Sequence, residues 1–163
     1  MEQQEAVKQE RKSGILSRLP FRPSEDGPSD SLEALIKVVK ARNPKVDPRQ
    51  IQRAHAFARE AHQGQKRLSG EDFIEHPVAV AAIVADLGMD LTTIEAALLH
   101  DVVEDTTLTI VDVQREFGDQ VATMVDALTK LDAIKFRSRE QEQAENVRKM
   151  IVAMAQDIRI LLI

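Results

Sequence analysis

The sequence predicts an all-α fold, and three observations predict it. Apolar residues recur at spacings of three and four along successive segments, and no stretch alternates with period two. Capping residues and helix breakers punctuate those segments at regular intervals. Only 3% of the residues are aromatic, so Ala, Leu, Ile and Val must build the core, which favours close-packed helices. With 163 residues the chain is long enough for one domain with a real core.

Residues 1–30 mix charges of both signs with Pro20, Pro23, Gly27 and Pro28 and are expected to form a flexible N-terminal tail. Within it, Ile15, Leu16, Leu19 and Phe21 make a small apolar patch. Asp30-Ser31 is expected to cap a first helix from Leu32 to about Ala41, with Leu32, Leu35, Ile36 and Val39 on one face. Asn43-Pro44 breaks it, and Asp47-Pro48 starts a second helix that runs to about His62. Ile51, Ala54, His55 and Ala58 line one side of that helix. His55 and His62 lie two turns apart on roughly one face, a long gap for a ligand pair, and read as core or surface histidines before ligands.

The loop Gln63–Glu75 sets Lys66, Arg67 and Ser69 among glycines. Two cations and a hydroxyl there suit an anion or a planar base, and an ordinary polar turn has the same composition. His76-Pro77 opens a third helix with Val80, Ile83, Val84 and Leu87 as its expected buried stripe and Gly88 as its stop. At a helix N-terminus an imidazole is favoured in its neutral, metal-binding form, but a lone His there is more often a cap or packing residue. The fourth helix is expected to start at Thr92, with Glu95 completing a capping box, and to end in His100-Asp101. Thr109 caps a short helix, Ile110 to Phe117, closed by Gly118. The next helix carries Val121, Met124, Val125, Leu128 and Leu131. After a basic turn, Lys135–Arg137, Ser138 with Gln141 opens a long helix with Ala144, Val147, Ile151 and Met154 inward. The sequence closes on the apolar run Ile158–Ile163, which reads as the start of another buried helix and hence as a fragment.

The net charge of −5 and the lack of a basic stripe argue against a nucleic-acid partner. The chain has no Cys, so it has neither a disulfide framework nor a thiolate site, which is compatible with a cytoplasmic location. No segment has the apolar length of a membrane span.

The chemistry concentrates in Ala96–Asp105, AALLHDVVED. His100-Asp101 ends an apolar helix, and Glu104 and Asp105 follow within a turn. Adjacent His and Asp offer a nitrogen and an oxygen ligand to a divalent ion of intermediate softness such as manganese, iron or zinc. Leu98 and Leu99 imply that the pair is partly buried, and a buried Asp needs a metal or another cation as partner. The plainer reading is a solvated helix end with capping charges.

His76 and, after 23 intervening residues, His100-Asp101 together resemble the opening motif of HD-domain metal-dependent phosphohydrolases. RLSGEDFIEHP at 67–77, ALLHDVVEDT at 97–106, TKL at 129–131 and AENVRKM at 144–150 are similar to the RelA/SpoT family, over roughly 32–163. The resemblance implies an HD-domain helical bundle, incomplete at the C-terminus, over residues 31–163. It implies removal of the 3′-pyrophosphate from guanosine tetra- or pentaphosphate with Mn2+, giving GDP or GTP and pyrophosphate. The matching metal ligands are His76, His100 and Asp101, and the matching catalytic carboxylates are Glu104 and Asp105. Arg67 matches a residue that stacks on guanine, with Ser69 in the same loop. Leu68 departs from a frequent basic residue. A further Asp ligand is expected just beyond Ile163, and synthetase and ribosome-associating regions belong to long family members. The alternative is a catalytically inactive regulatory or interaction remnant of that domain.

Overall fold

The computed structural model describes residues 30–132, 147–148 and 157–163. The expected tail before Asp30, the Lys135–Arg137 turn and the Ser138–Gln141 cap lie outside the described residues. Seven α-helices are described: α1 (Asp30–Arg42), α2 (Pro48–Ala61), α3 (Glu75–Asp86), α4 (Leu91–Leu99), α5 (Val102–Asp105), α6 (Ile110–Phe117) and α7 (Asp119–Asp132). A 3-10 turn covers Ile158–Leu162. Among the described residues the only β feature is an isolated antiparallel bridge, Lys66 to Asp72, so the all-α expectation holds.

Helix α4 is the centre of the bundle. It packs on α2, α3 and α7, while α1 lies on α3. Its Ile94, Ala96, Ala97, Leu98 and Leu99 are all buried, and each large apolar side chain so buried contributes about 1.5–3 kcal/mol. The sequence of α4 is apolar around most of its circumference because neighbours surround it. Its last turn delivers His100 and Asp101 to the bundle's edge.

Several caps follow the sequence. Asp47 accepts from the Arg49 amide at 3.0 Å with Pro48 at the first helical position. Thr109 and Asp112 form a reciprocal capping box on α6, and Gly118 takes φ +85, open to glycine without strain. Others differ. Helix α4 is capped by Asp90, which accepts from the Thr93 amide at 3.1 Å and the Thr93 hydroxyl at 2.5 Å. The expected Thr92/Glu95 box is not used, because the Asp carboxylate reaches the free amides first and Glu95 is left half-buried. Asp30 and Ser31 lie within α1 itself, and the Ser31 hydroxyl donates to Glu75 of α3 at 3.2 Å.

The buried face of α3 is also rotated from the expected stripe. Pro77, Val78, Ala81, Val84 and Ala85 are inside, whereas Ile83 and Leu87 are more than half exposed. The two alanines allow α1 and α4 to approach closely, and close approach outweighs the larger side chains on the other face. The apolar run at Ile158–Leu162 is a 3-10 turn capped by Asp157. Ile160 is buried in it and Ile158 is exposed. Val147, expected inward, is exposed. No described helix is long and apolar enough to cross a membrane.

Candidate metal centre

Three elements meet at the site: the start of α3 supplies His76, the end of α4 His100, and the junction to α5 Asp101. One ligand atom from each of these three residues lies within 4.8 Å of the others. His76 Nε2 is 3.9 Å from Asp101 Oδ2, and His100 Nε2 is 3.0 Å from Asp101 Oδ1. The two imidazoles sit edge to face with centroids 5.4 Å apart. The His100 and Asp101 side chains are only 12% and 15% exposed, so the reading of a solvated helix end fails.

The donor set fits a divalent cation. The His100 ring nitrogen Nδ1 is 2.7 Å from the Ala97 carbonyl. A carbonyl only accepts, so Nδ1 carries the hydrogen and Nε2 faces Asp101. In a neutral ring this leaves a lone pair pointing at a carboxylate oxygen, a repulsive contact that a second proton or a metal ion relieves. A hydrogen bond from the far ring nitrogen to a carbonyl is also the usual way of orienting a ligating histidine.

The electrostatics agree. Burial works against the charge on Asp101, but the hydrogen bond and charge of His100, with the charges of His76 and His62, outweigh it and hold the carboxyl below its ordinary value. Burial, then the nearby Arg67 cation, pushes His76 down, against the pull of Asp101. His76 therefore favours the neutral form that binds metals.

Glu104 and Asp105 lie on the exposed side of α5. The Asp105 amide donates to the Asp101 carbonyl at 2.9 Å, so a single turn connects the acidic pair to the ligand cluster. Arg67 and Ser69 are exposed in a tight loop, where the Arg67 amide donates to the Glu71 carbonyl at 3.0 Å and the Ser69 hydroxyl to Glu71 Oε2 at 3.3 Å. Gln65 of the same loop donates to the Asp105 carbonyl at 3.0 Å, which ties the loop to the turn that follows the ligands. Leu68 is fully exposed at the loop tip. Loop, ligands and carboxylates thus share one region.

His55 and His62 are core residues, 4% and 3% exposed, and neither belongs to the ligand cluster. His62 stacks on Phe73 at 4.3 Å and hydrogen-bonds Gln65. No sequence signal marked Gln65, which bridges His62 and the Asp105 carbonyl.

Comparison with known proteins gives the family context. The HD domain model matches residues 54–163. A GTP pyrophosphokinase of Streptomyces coelicolor is 52% identical over 135 residues, covering 81% of this chain and 16% of the relative. The bifunctional (p)ppGpp synthase/hydrolase SpoT of Escherichia coli K12 is 49% identical over 131 residues, 80% of this chain and 19% of the relative. A guanosine-3′,5′-bis(diphosphate) 3′-pyrophosphohydrolase of Vibrio cholerae is 54% identical over 113 residues, 69% of this chain and 16% of the relative. The chain therefore spans less than a fifth of the length of these relatives.

Proposed function

We propose, because this chain belongs to the HD-domain family and is of the SpoT/RelA type, that it removes the 3′-pyrophosphate of guanosine tetra- or pentaphosphate. The observation that carries the reading is the convergence of His76, His100 and Asp101, with His100 Nε2 turned onto Asp101. These three residues hold the cation, which we take to be manganese. When bound, a divalent cation neutralises phosphoryl oxygens and lowers the pKa of water.

The remaining roles belong to side chains of this chain. Glu104 and Asp105 orient the attacking water and accept its proton. The water oxygen bonds to the phosphorus attached to the 3′ oxygen, and the bond between that phosphorus and the 3′ oxygen breaks. The 3′ oxygen takes up a proton, and pyrophosphate leaves with GDP or GTP as the other product. Arg67 stacks its planar guanidinium on the base, and Ser69 contacts the substrate from the same loop. A small-molecule substrate accounts for all these contacts, and no nucleic acid or membrane is needed. We assign the protein to the cytoplasm. We take the chain as the hydrolase portion of a bifunctional synthetase/hydrolase, whose other regions would carry synthesis and ribosome association.

The test is release of pyrophosphate from guanosine tetraphosphate by this 163-residue chain, with manganese and with chelator. Turnover that the chelator abolishes supports the proposal. A folded, metal-binding chain without turnover would make it the non-catalytic module instead.

A further inference from the structure

Helix α5 is only four residues long, too short to hold itself by its own hydrogen bonds, yet it carries Glu104 and Asp105. Two side chains fasten it. The Thr106 hydroxyl donates to the Val102 carbonyl at 2.5 Å. From outside, Gln65 Nε2 donates to the Asp105 carbonyl at 3.0 Å, across 40 positions of sequence.

The polarity of this second link is fixed. The Asp105 carbonyl only accepts, so the amide nitrogen of Gln65 must face it and Oε1 must face the other way. Oε1 meets His62 Nδ1 at 3.1 Å, and it can only accept, so that ring nitrogen carries the hydrogen. His62 is itself immobilised. It is buried, stacked on Phe73, and its own amide donates to the Ala58 carbonyl at the end of α2. The Gln65 amide donates to the His62 carbonyl at 3.0 Å, through a turn in which Gly64 has φ +82. A rigid ring at the C-cap of α2 therefore orients one flexible amide, and that amide grips the acidic turn.

We propose that Gln65, oriented by His62, is a positioning residue that holds the α5 turn so that Glu104 and Asp105 face the metal centre. This rests on the reading above, in which the two carboxylates act on water. Among the described residues, the side-chain hydrogen bonds of Gln65 go to His62 and the Asp105 carbonyl, so it acts through the turn.

The experiment uses two variants of the full chain. Gln65→Met keeps the length of the side chain and removes both hydrogen bonds. Gln65→Glu keeps shape and the His62 bond but presents an acceptor to the Asp105 carbonyl. Three readouts are taken: amide hydrogen exchange at Asp105, manganese affinity by direct titration, and the kinetics of pyrophosphate release. In both variants we expect Asp105 exchange at least 10-fold faster, with the Leu99 amide unchanged. In Gln65→Met we expect manganese affinity and KM within 2-fold of the parent and kcat at least 10-fold lower. Unchanged exchange at Asp105 overturns the strut. Faster exchange with an unchanged kcat overturns its positioning role, as does an equal fall in manganese affinity. A parent chain that releases no pyrophosphate at all overturns the hydrolase reading alone, and the strut is then decided by the exchange of Asp105.

Discussion

His100 Nε2 stands 3.0 Å from Asp101 Oδ1 because the other nitrogen of the same ring is spent on the Ala97 carbonyl. Adjacent residues at a helix end thus become a convergent pair rather than two solvated charges. Asp101→Asn should lower manganese affinity by more than about 100-fold, since loss of even a hydrogen-bond partner of a ligand costs about 10–100-fold. Glu104→Gln should bind manganese as the parent does and lose about 10²–10⁴-fold in kcat, the range for a general base. Titration of manganese against both variants, beside pyrophosphate release, checks this. Equal losses of affinity would show that the two roles are not separate.

Arg67 is exposed in the loop whose Gln65 reaches the Asp105 carbonyl, and a guanidinium has no lone pair to offer a metal. Its loss should therefore weaken substrate binding and leave the chemistry intact. Arg67→Ala is expected to raise KM for guanosine tetraphosphate about 2–30-fold, equivalent to about 0.5–2 kcal/mol of stacking, with kcat little changed. Arg67→Lys should recover little, because an ammonium has no planar face. A fall in kcat with KM unchanged would move Arg67 from the base to the reacting phosphate.

One buried and one half-buried ionisable group give opposite pH slopes. Burial, then the charge of Arg59, pushes His55 from 6.5 to about 4. The folded state then binds fewer protons than the unfolded one, so this contribution is complete above pH 6.5 and is lost as pH falls toward 4. Burial pushes Glu95 from 4.5 to about 7, against the opposing charge of Arg53. Its contribution is complete below pH 4.5 and is lost as pH rises through 7. Between pH 4.5 and 6.5 the two oppose each other. Relative to the parent, Glu95→Gln should therefore make stability rise more steeply with pH across that window, and His55→Leu should make it fall. Each change of slope should sum to about 1–3 kcal/mol. Urea midpoints at pH 4.5, 5.5 and 6.5 measure this, and parallel curves for both variants and the parent would refute it.

Asp90 does two jobs at the far end of α4 from the candidate metal centre. One carboxylate oxygen caps the helix through Thr93, and the other pairs with Arg159 of the 3-10 turn. Asp90→Ala should cost about 0.5–2 kcal/mol of stability, as lost N-caps do. Arg159→Ala, which leaves the cap and removes the partly exposed ion pairs with Asp90 and Asp157, should cost about 0–1 kcal/mol. Thermal or urea unfolding ranks the two, and a larger loss in Arg159→Ala would show that docking of the 3-10 turn matters more than the cap.

Much of the fold was legible in the sequence because helices are encoded locally. Periodicity and caps marked α2 and α6 closely, with Asp47-Pro48 and Thr109 at their starts. Where two capping options competed, as Asp90 and Thr92 do at α4, local pattern could not choose. The rotated face of α3 failed for a related reason. Val80, Ile83 and Leu87 look more buried than Ala81 and Ala85 to any scale of hydrophobicity, and only the proximity of α1 and α4 favours the small residues.

By itself, the sequence determined through residue types at short spacing that the chain is helical, and through its likeness to the HD-domain proteins that His76, His100 and Asp101 are its candidate ligands. Tertiary structure decided which ring nitrogen faces Asp101, which of the remaining histidines are core, and that Gln65 reaches the Asp105 carbonyl. Those are matters of direction and of contact between distant segments, and packing in three dimensions fixes them where local sequence cannot.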